Sequence, residues 1–357
     1  MNRILVIALA GIGDTLMATP VIHELRSRFP KARLEALVLW PGAKEVLEGN
    51  PHLDAVHQHQ FLLASKWASL RFVWGLRRPR ADLSLNVHPQ GRREYRAIAR
   101  LIGARRRLSH AYENQNWMDP WLVTDTVPQD YSVHCVQNNL NLLRRVGIEP
   151  TRTHHAYELY LSAAEKERAE GLLWQLGLAG KRWLGLHVGS GGTKNLALRR
   201  WPVSRYVELI RRAALELPGV PIVLFGGPGE REAHSEIRAA AGDAVLEPKT
   251  GSLRAAAAVL SHAWAFLSVD TVFMHLATAV RVPKQLVIET PTLNPPVQPF
   301  RTDWILIPNP AVGGRPLDFY RYDGRCIAGT DAAIQRIMES VSVDSVMEAC
   351  RKAMTSS

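Results

Sequence analysis

The sequence predicts an α/β protein with two doubly wound parallel-sheet domains. Hydrophobic strands alternate with helical segments along the chain, and each half opens with a continuous apolar strand that runs into a glycine-rich loop. The 357-residue length exceeds what one hydrophobic core usually spans. We therefore expect residues 1–155 and 156–357 to form separate domains facing a central ligand cleft, with the last helix as a candidate to pack back on the first domain.

The first half supplies the first set of elements. Residues 4–9 form a continuous apolar run, which is typical of a buried parallel strand. Gly11 to Asp14 then turns the chain into a helix over residues 15–29, which Pro30 ends. The other predicted strands are 34–39, 55–59 and 83–87, and the other predicted helices are 43–48, 66–76, 92–102 and 133–146.

The second half restarts the same alternation after residues 147–161, a Pro-, His- and Thr-containing segment that we interpret as the linker. Strands are predicted at 183–187, 221–225, 265–267 and 285–288. Helices are predicted at 163–176, 204–217, 230–240, 252–260, 271–280, 330–338 and 343–354. The order of elements therefore indicates a second parallel sheet.

The charge balance indicates an anionic partner. The formal net charge is +11, and ten arginines, here called the arginine cluster, lie within residues 77–107. Nucleic acid, an acidic membrane surface and phosphorylated substrates are the candidates, and a solvated face is the plainer explanation of the cluster. Because Tyr95 is the one aromatic residue in the basic helix and no nucleic-acid motif is present, we expect no nucleic-acid partner.

The remaining composition predicts a cytoplasmic protein without a metal or other cofactor. Cys135, Cys326 and Cys350 lie far apart and have the spacing of neither a disulfide framework nor a metal site. No apolar run reaches membrane-spanning length. The apolar start is short and continues into a glycine turn, so we interpret it as a strand rather than an export signal.

The stretch over residues 265–279 predicts an anion site. An apolar strand stops at Ser268, Asp270 or Thr271 occupies the N-cap position of the next helix, and His275 falls one turn past Thr271. A helix N-terminus offers free amides and a positive dipole end, which suit a diphosphate. The alternative is a capped core helix with a solvated histidine.

The first glycine turn supplies a carboxylate. Gly11 and Gly13 allow a tight turn, but Leu16 occupies the third glycine position of the dinucleotide fingerprint, which disfavours an NAD-dependent oxidoreductase. Asp14 near the start of the first helix is either a general base for a hydroxyl group or a helix cap, and the cap is favoured from these residues alone.

Two loops of the second half are suited to bind a phosphorylated ligand. Gly189 to Lys194, with Ser190 inside it, can wrap a phosphate with backbone amides, and it lacks the P-loop spacing. Arg199 and Arg200 follow, and an arginine at this point can clamp a diphosphate. Glu230, after a glycine turn, is either a ribose-binding group or a solvated glutamate.

Together these motifs resemble glycosyltransferase family 9, the ADP-heptose:lipopolysaccharide heptosyltransferases of GT-B fold, along nearly the whole chain. The segments that carry the resemblance are IGD…TP at 12–20, HVGS…RRWP at 187–202, FGGPGE at 225–230 and SVDTVFMH at 268–275. The resemblance implies two Rossmann-like domains, no metal requirement, and transfer of a sugar with inversion at its anomeric carbon.

Residue roles follow from the same resemblance. Asp14 matches the family's proposed catalytic base, and Arg199 stands at the position of a lysine that contacts the donor diphosphate. The other residues matched to donor binding or to loops near the donor and acceptor are Gly11, Gly13, Gly189, Ser190, Lys194, Glu230, Asp270, Thr271, His275 and Thr292. Two departures put donor identity in question: Val272 replaces a glycine, and residues 289–292 read ETPT instead of FGPT.

We therefore expect an inverting glycosyltransferase that moves a sugar, such as the heptose of ADP-heptose, onto a lipopolysaccharide core or related glycan. The arginine cluster would face a phosphorylated or acidic-sugar acceptor at the inner membrane surface. The alternatives are a transferase with a different nucleotide-sugar donor and a GT-B protein that binds a nucleotide sugar without catalysis.

Overall fold

The computed structural model describes residues 1–113, 116–151, 157–322 and 324–356. The chain divides into two compact units. The first comprises Met1–Tyr160 with Tyr322–Gly324, and the second comprises Leu161–Arg321 with Arg325–Ser357. The boundary predicted between residues 155 and 156 lies outside the described residues.

The first unit is a six-stranded parallel sheet with helices on it. Its strands are β1 (Arg3–Ala8), β2 (Arg33–Val38), β3 (Ala55–Gln58), β4 (Leu83–Asn86), β5 (Arg106–Ala111) and β6 (Asp125–Pro128). Its helices are α1 (Ile12–Met17), α2 (Thr19–Arg28), α3 (Pro41–Leu47), α4 (Lys66–Leu76), α5 (Arg93–Ile102), α6 (Asp119–Leu122) and α7 (Cys135–Leu143), which a 3-10 turn, Arg144–Val146, extends. The strand order is β3-β2-β1-β4-β5-β6.

The second unit is also a six-stranded parallel sheet. Its strands are β7 (Leu184–His187), β8 (Ile222–Phe225), β9 (Val245–Leu246), β10 (Ala265–Ser268), β11 (Lys284–Ile288) and β12 (Ile305–Ile307). Its helices are α8 (Ala163–Gln175), α9 (Val203–Glu216), α10 (Arg231–Ala241), α11 (Leu253–Leu260), α12 (Val272–Ala279), α13 (Pro316–Phe319), α14 (Asp331–Glu339) and α15 (Val343–Thr355), and 3-10 turns lie at Leu196–Arg199, Pro228–Glu230 and Gly242–Ala244. The strand order is β12-β11-β10-β7-β8-β9.

The predicted fold class is confirmed. The burial of the central strands explains why their sequences are continuously hydrophobic. All six residues of β1 and all four of β7 are buried, so continuous hydrophobicity marks them as central parallel strands. In each sheet the strand order reverses beside the unit's first strand, between β1 and β4 and between β7 and β10. Such switch points are where open α/β sheets bind ligands.

The helix predicted over residues 15–29 is two helices. It breaks at Ala18, between α1 and α2. Pro20 has no N–H to give to the carbonyl of Leu16, and the Thr19 hydroxyl donates to that carbonyl at 2.7 Å. The prediction overlooked this proline.

The sequence missed four strands: β5, β6, β9 and β12. Strand β5 carries Ser109 and His110, which are fully buried polar residues, so it has no continuous apolar run. His110 Nε2 lies 2.9 Å from the carbonyl oxygen of Asn138, which gives this buried ring nitrogen a hydrogen-bond partner. Polar partners of this kind come from distant parts of the chain.

The last helix, α15, packs on the second unit's own sheet, and its packing back on the first domain stays a prediction. Val346, Met347 and Cys350 belong to the core that covers β10 to β12 and α9. Among the described residues, no helix is both long enough and apolar enough to cross a membrane.

Candidate functional site

The switch point of the first unit holds Asp14 in a tight turn. Asp14 lies in the first turn of α1, directly after β1, and its Oδ2 accepts the N–H of Gly11 at 2.7 Å. A Cβ on Gly11 would stand 2.9 Å from that oxygen, so glycine allows this approach. The cap that the sequence favoured is present. The role of Asp14 as a base stays a prediction.

Buried polar groups follow the neighbouring strand, β4. Gln90 Nε2 donates to the carbonyl of Val87 at 2.8 Å and to that of Ile7 in β1, which ties the two strand ends together. His88 Nδ1 lies 3.0 Å from the Tyr112 hydroxyl. Burial holds the pKa of His88 well below its usual range, so this imidazole is neutral.

The arginine cluster is not one solvated face, which corrects the expectation that all of it would meet an anionic acceptor. Arg96 is buried, with its Nε 2.5 Å from Asp119 Oδ1. Arg107 is buried and donates to two backbone carbonyls at 2.8 and 3.0 Å. Arg106 pairs with Asp125 at 2.8 Å. These three guanidinium groups stabilise the unit itself.

The switch point of the second unit holds the start of α12. Thr271 is the N-cap, and its Oγ1 accepts from the N–H groups of Phe273 and Met274 at 3.2 and 3.4 Å. This settles the choice between Asp270 and Thr271. His187, at the end of β7, places Nδ1 3.2 Å from the same hydroxyl and so links both sides of the switch point.

Arg199, Asp270 and Thr292, here called the arginine–aspartate cluster, meet beside this helix start. Arg199 Nη1 donates to Asp270 Oδ2 at 2.9 Å and to Thr292 Oγ1 at 3.0 Å. Thr292 Oγ1 donates to Asp270 Oδ2 at 2.7 Å. All three side chains are buried. The Arg199 Nε is buried without a hydrogen-bond partner among the residues that the structure describes, so it can donate to an oxygen-rich ligand.

The two histidines at this position are neutral. Burial, and secondarily the charge of Arg199, lowers the pKa of His275 to about 3. Burial, and secondarily His234, Arg200 and Arg199, lowers the pKa of His187 to about 3. His275 is buried rather than solvated, and at neutral pH it brings no positive charge to an anion.

A second group of predicted residues surrounds Arg200. Glu230 Oε2 accepts the N–H of Gly227 at 2.8 Å, and a Cβ on Gly189 would stand 2.2 Å from Glu230 Oε1. Arg200 lies 3.6 Å from that carboxylate and donates to Ser190 Oγ at 3.3 Å. Glu230 therefore packs directly on the Gly189 backbone, and Arg200 joins the two loops.

Lys194 makes contacts of a different kind. It adopts a φ of 55°, its Nζ donates to the carbonyl of Arg325 at 3.0 Å, and it lies 5.7 Å from the ring centre of Tyr320. These contacts join the glycine loop to a later loop of the same unit. The expectation that Lys194 acts near the donor or acceptor stays a prediction.

One group of metal-ligand side chains occurs in the first unit. Single ligand atoms of His23, His52 and Glu158 all lie within 4.8 Å of one another. His23 Nδ1 is 2.5 Å from Glu158 Oε1, and His52 Nε2 is 3.0 Å from the Tyr160 hydroxyl. The sequence gave no sign of this group because its members are up to 135 residues apart.

Sequence reasoning missed His88, Gln90 and His187 as site residues and left open whether Arg199 or Arg200 clamps a diphosphate. The only sign of the three missed residues is their position, because each is a polar residue at or shortly after the end of an apolar strand. Asp14, Gly11 and Gly13 belong to the first unit, and the other predicted site residues belong to the second.

Three comparisons relate this chain to known proteins. The model of glycosyltransferase family 9 (heptosyltransferase) matches residues 70–287, more than half of the chain. A curated relative, lipopolysaccharide heptosyltransferase 3 of Escherichia coli (strain K12), is 26% identical over 283 residues, which cover 76% of this chain and 78% of the relative.

Solved structures of similar fold include two with nearly complete coverage. The glycosyl transferase family 9 structure from Veillonella parvula DSM 2008 has a TM-score of 0.77 at 18% identity, covering 100% of this chain and 98% of that one. The E. coli ADP-heptose lps heptosyltransferase II has a TM-score of 0.73 at 19% identity, covering 99% and 98%. At these identities the similarity shows the fold.

Proposed function

Because the chain belongs to glycosyltransferase family 9 (heptosyltransferase), we propose that it transfers a heptose from ADP-heptose to a lipopolysaccharide core or a related anionic glycan. The names of the similar proteins, a lipopolysaccharide heptosyltransferase and an ADP-heptose heptosyltransferase, support this donor and this acceptor. The acceptor class also supports a peripheral contact with the inner membrane surface.

The arginine–aspartate cluster is the observation that carries the proposal. It places a buried cation, whose Nε has no hydrogen-bond partner in the described part of the chain, beside the N-terminus of α12, at a switch point of a parallel sheet. Buried donors of this kind need an oxygen-rich partner, and a helix start favours a negative charge. A nucleoside diphosphate supplies both. Asp270 and Thr292 hold the guanidinium in position.

Asp14 is the proposed base. Its carboxylate takes the proton of the acceptor hydroxyl as the acceptor oxygen attacks the anomeric carbon of the sugar. The bond between that carbon and the diphosphate oxygen breaks, and the electron pair leaves with ADP. Attack from the face opposite the leaving group inverts the configuration. Arg199 and the positive dipole end of α12 stabilise the charge that grows on the diphosphate.

The reaction proposed here needs no metal, because Arg199 and the start of α12 supply the positive charge at the leaving group. Glu230 is proposed to accept hydrogen bonds from ribose hydroxyls, and Gly189 with Ser190 to cover the phosphates. Turnover is expected to persist after dialysis against EDTA, and a loss restored by a divalent cation would refute this part.

The test is transfer by the purified protein. With ADP-heptose and a lipopolysaccharide core acceptor, the account expects acceptor-dependent ADP release and a product of inverted anomeric configuration by NMR. GDP- and UDP-sugars are the matched controls. A retained configuration would refute Asp14 as the base for direct displacement.

A second candidate function is binding of a nucleotide sugar without catalysis. Val272 occupies the first helical position of α12, and Thr290 in the following loop is buried. Both features favour binding without catalysis, because they narrow the space through which donor phosphates would reach the helix start. This candidate predicts that ADP-sugars raise the unfolding temperature while no donor in the panel is hydrolysed or transferred. A different donor sugar predicts turnover with another member of the panel.

A further inference from the structure

Helix α4 carries large apolar side chains on two faces, one buried and one exposed. Val73 and Leu76 point into the core of the first unit. Trp67, Leu70 and Trp74 are three and seven residues apart, so they share the other face of the helix, and all three are exposed. Trp67 is 81% exposed and Trp74 is 58% exposed. The inner face explains why the helix packs on the unit, and the outer face needs another explanation.

The exposed apolar surface continues into the turn before the helix. Leu62 and Leu63 are also exposed, Leu63 by 82%. Five large apolar side chains therefore face solvent within residues 62–74. Isolated exposed apolar residues are ordinary on soluble proteins, but a group of this size in one segment marks an interaction surface.

The charges around this surface are of one sign. Residues 55–81 contain five basic residues and no aspartate or glutamate. At 100° per residue, Lys66 and the C-cap residue Arg77 flank the exposed stripe on one side, and Arg71 flanks it on the other. These three residues, and Arg78 just beyond the helix, are exposed.

We propose that this surface, α4 with Leu62 and Leu63, docks the protein on an anionic lipid bilayer. The apolar side chains enter the region between headgroups and acyl chains, where tryptophan is favoured, and the flanking cations meet the lipid phosphates. A second copy of the same surface is disfavoured, because it would bring two groups of five cations together. The proposal does not depend on which sugar the protein transfers.

The chain contains a matched control surface. Trp174 on α8 is 75% exposed, similar to Trp67, but an acidic residue, Glu170, lies one turn before it. A lone tryptophan beside an acidic residue lacks the charge complementarity that the proposal requires. Trp174→Ser therefore removes an exposed tryptophan without touching the docking surface.

The experiment is co-sedimentation with vesicles, using the full chain. We expect the wild type to bind vesicles of equal parts phosphatidylglycerol and phosphatidylcholine, and to bind pure phosphatidylcholine at least tenfold more weakly. Trp67→Ser/Trp74→Ser is expected to reduce binding to the anionic vesicles at least tenfold, and Trp174→Ser to leave it unchanged. The replaced side chains are exposed, so all variants should keep the wild-type unfolding temperature.

Three results would overturn the proposal. One is a wild type that does not bind the anionic vesicles. Another is equal binding by Trp67→Ser/Trp74→Ser. The third is a wild-type dimer in sedimentation velocity that this double variant converts to monomer, which would assign the surface to a second copy. Donor hydrolysis, measured without vesicles, reports on the proposed function separately and is expected to be the same in all variants.

Discussion

The two units place different chemistry at the same topological position. At the switch point between β1 and β4, the first unit presents one carboxylate, Asp14, in a glycine turn. Between β7 and β10, the second unit presents a buried guanidinium held by a carboxylate and a threonine hydroxyl. The parallel sheet determines where the site lies. The side chains at the switch point determine whether that site accepts a proton or binds an anion.

The difference extends to the hydrogen bonds of each group. Asp14 accepts, among its contacts, the N–H of Gly11, three residues away. Arg199 donates to Asp270 and Thr292, 71 and 93 residues away. A diphosphate site benefits from a buried cation whose orientation is set by several segments.

The largest expected effect comes from removing the proposed base. Asp14→Asn keeps an oxygen that can accept the Gly11 N–H, so α1 should fold normally, but the amide cannot take a proton. Transfer should fall by about a hundredfold to ten-thousandfold, measured as acceptor-dependent ADP release. If the variant turns over like the wild type, the first unit supplies no base at this position.

The contact between the glycine loop and Glu230 gives the next effect. In Gly189→Ala the new Cβ would collide with Glu230, whose far end can move away, so the fold should tolerate it. The KM for the donor should rise roughly tenfold, a loss of about 1.4 kcal/mol. Glu230→Ala should give a similar rise.

A double-mutant cycle sharpens this prediction. If Gly189→Ala acts by displacing Glu230, the combined variant should be little worse than either single one. Gly192→Ala is the control, because a Cβ there would meet nothing within 4 Å. Additive losses would show that the two residues act separately.

The neutral histidines of the second unit predict an acid dependence of stability. Burial lowers the pKa of His187 and His275 to about 3, against about 6.5 in an unfolded chain. Between these values the unfolded state binds more protons, so the free energy of unfolding decreases as pH falls through this window. Urea midpoints between about pH 7 and about pH 5 should show the decrease.

His275→Gln should reduce that dependence, because it removes one of the groups that gain a proton on unfolding. Exposed His262 provides the control, and His262→Gln should leave the dependence as it is. The contribution of Glu165, a half-buried carboxylate, is separate. Hydrogen bonds, from Arg254 above all, lower the pKa of Glu165 to about 2, so its stabilisation is lost progressively as pH falls from about 4.5 to about 2. An unchanged slope in His275→Gln would contradict the assignment.

The smallest effect is expected at the helix cap. Thr271→Ala removes the oxygen that accepts two N–H groups of α12, which costs about 1 kcal/mol. The unfolding temperature should fall by about 2–4 °C, and Thr271→Ser should restore it. If Thr271→Ala does not fold at all, the Thr271 hydroxyl contributes more to stability than capping of α12 explains.

Local features of the fold were predictable from the sequence, and distant pairings were not. Capping is a relation between neighbours, so Thr271 could be recognised as a cap candidate. Continuous apolar runs showed β1 and β7 because central parallel strands are buried on both faces. Strand β5 was missed because its buried Ser109 and His110 are polar, and His110 Nε2 meets a carbonyl oxygen 28 residues away, that of Asn138.

The same limit applies to the candidate site. The resemblance to family 9 selected Arg199, Asp270 and Thr292, but their hydrogen bonds join segments up to 93 residues apart. The neutral state of His275 depends on burial, which no local pattern reports. The sequence shows Trp67, Leu70 and Trp74 of α4 at helical spacing. Only the structure shows that these residues are exposed.

The central claim is that the second unit binds the donor diphosphate while the first supplies the base. The most direct test is calorimetric titration of ADP into the wild type, Asp14→Asn and Arg199→Met/Asp270→Asn. The paired substitution removes both charges together, so no buried ion is left alone. The account predicts that Asp14→Asn binds ADP within about twofold of the wild type and that the paired variant binds it at least about tenfold more weakly. Equal affinity in the paired variant, or an equal loss in Asp14→Asn, would contradict it.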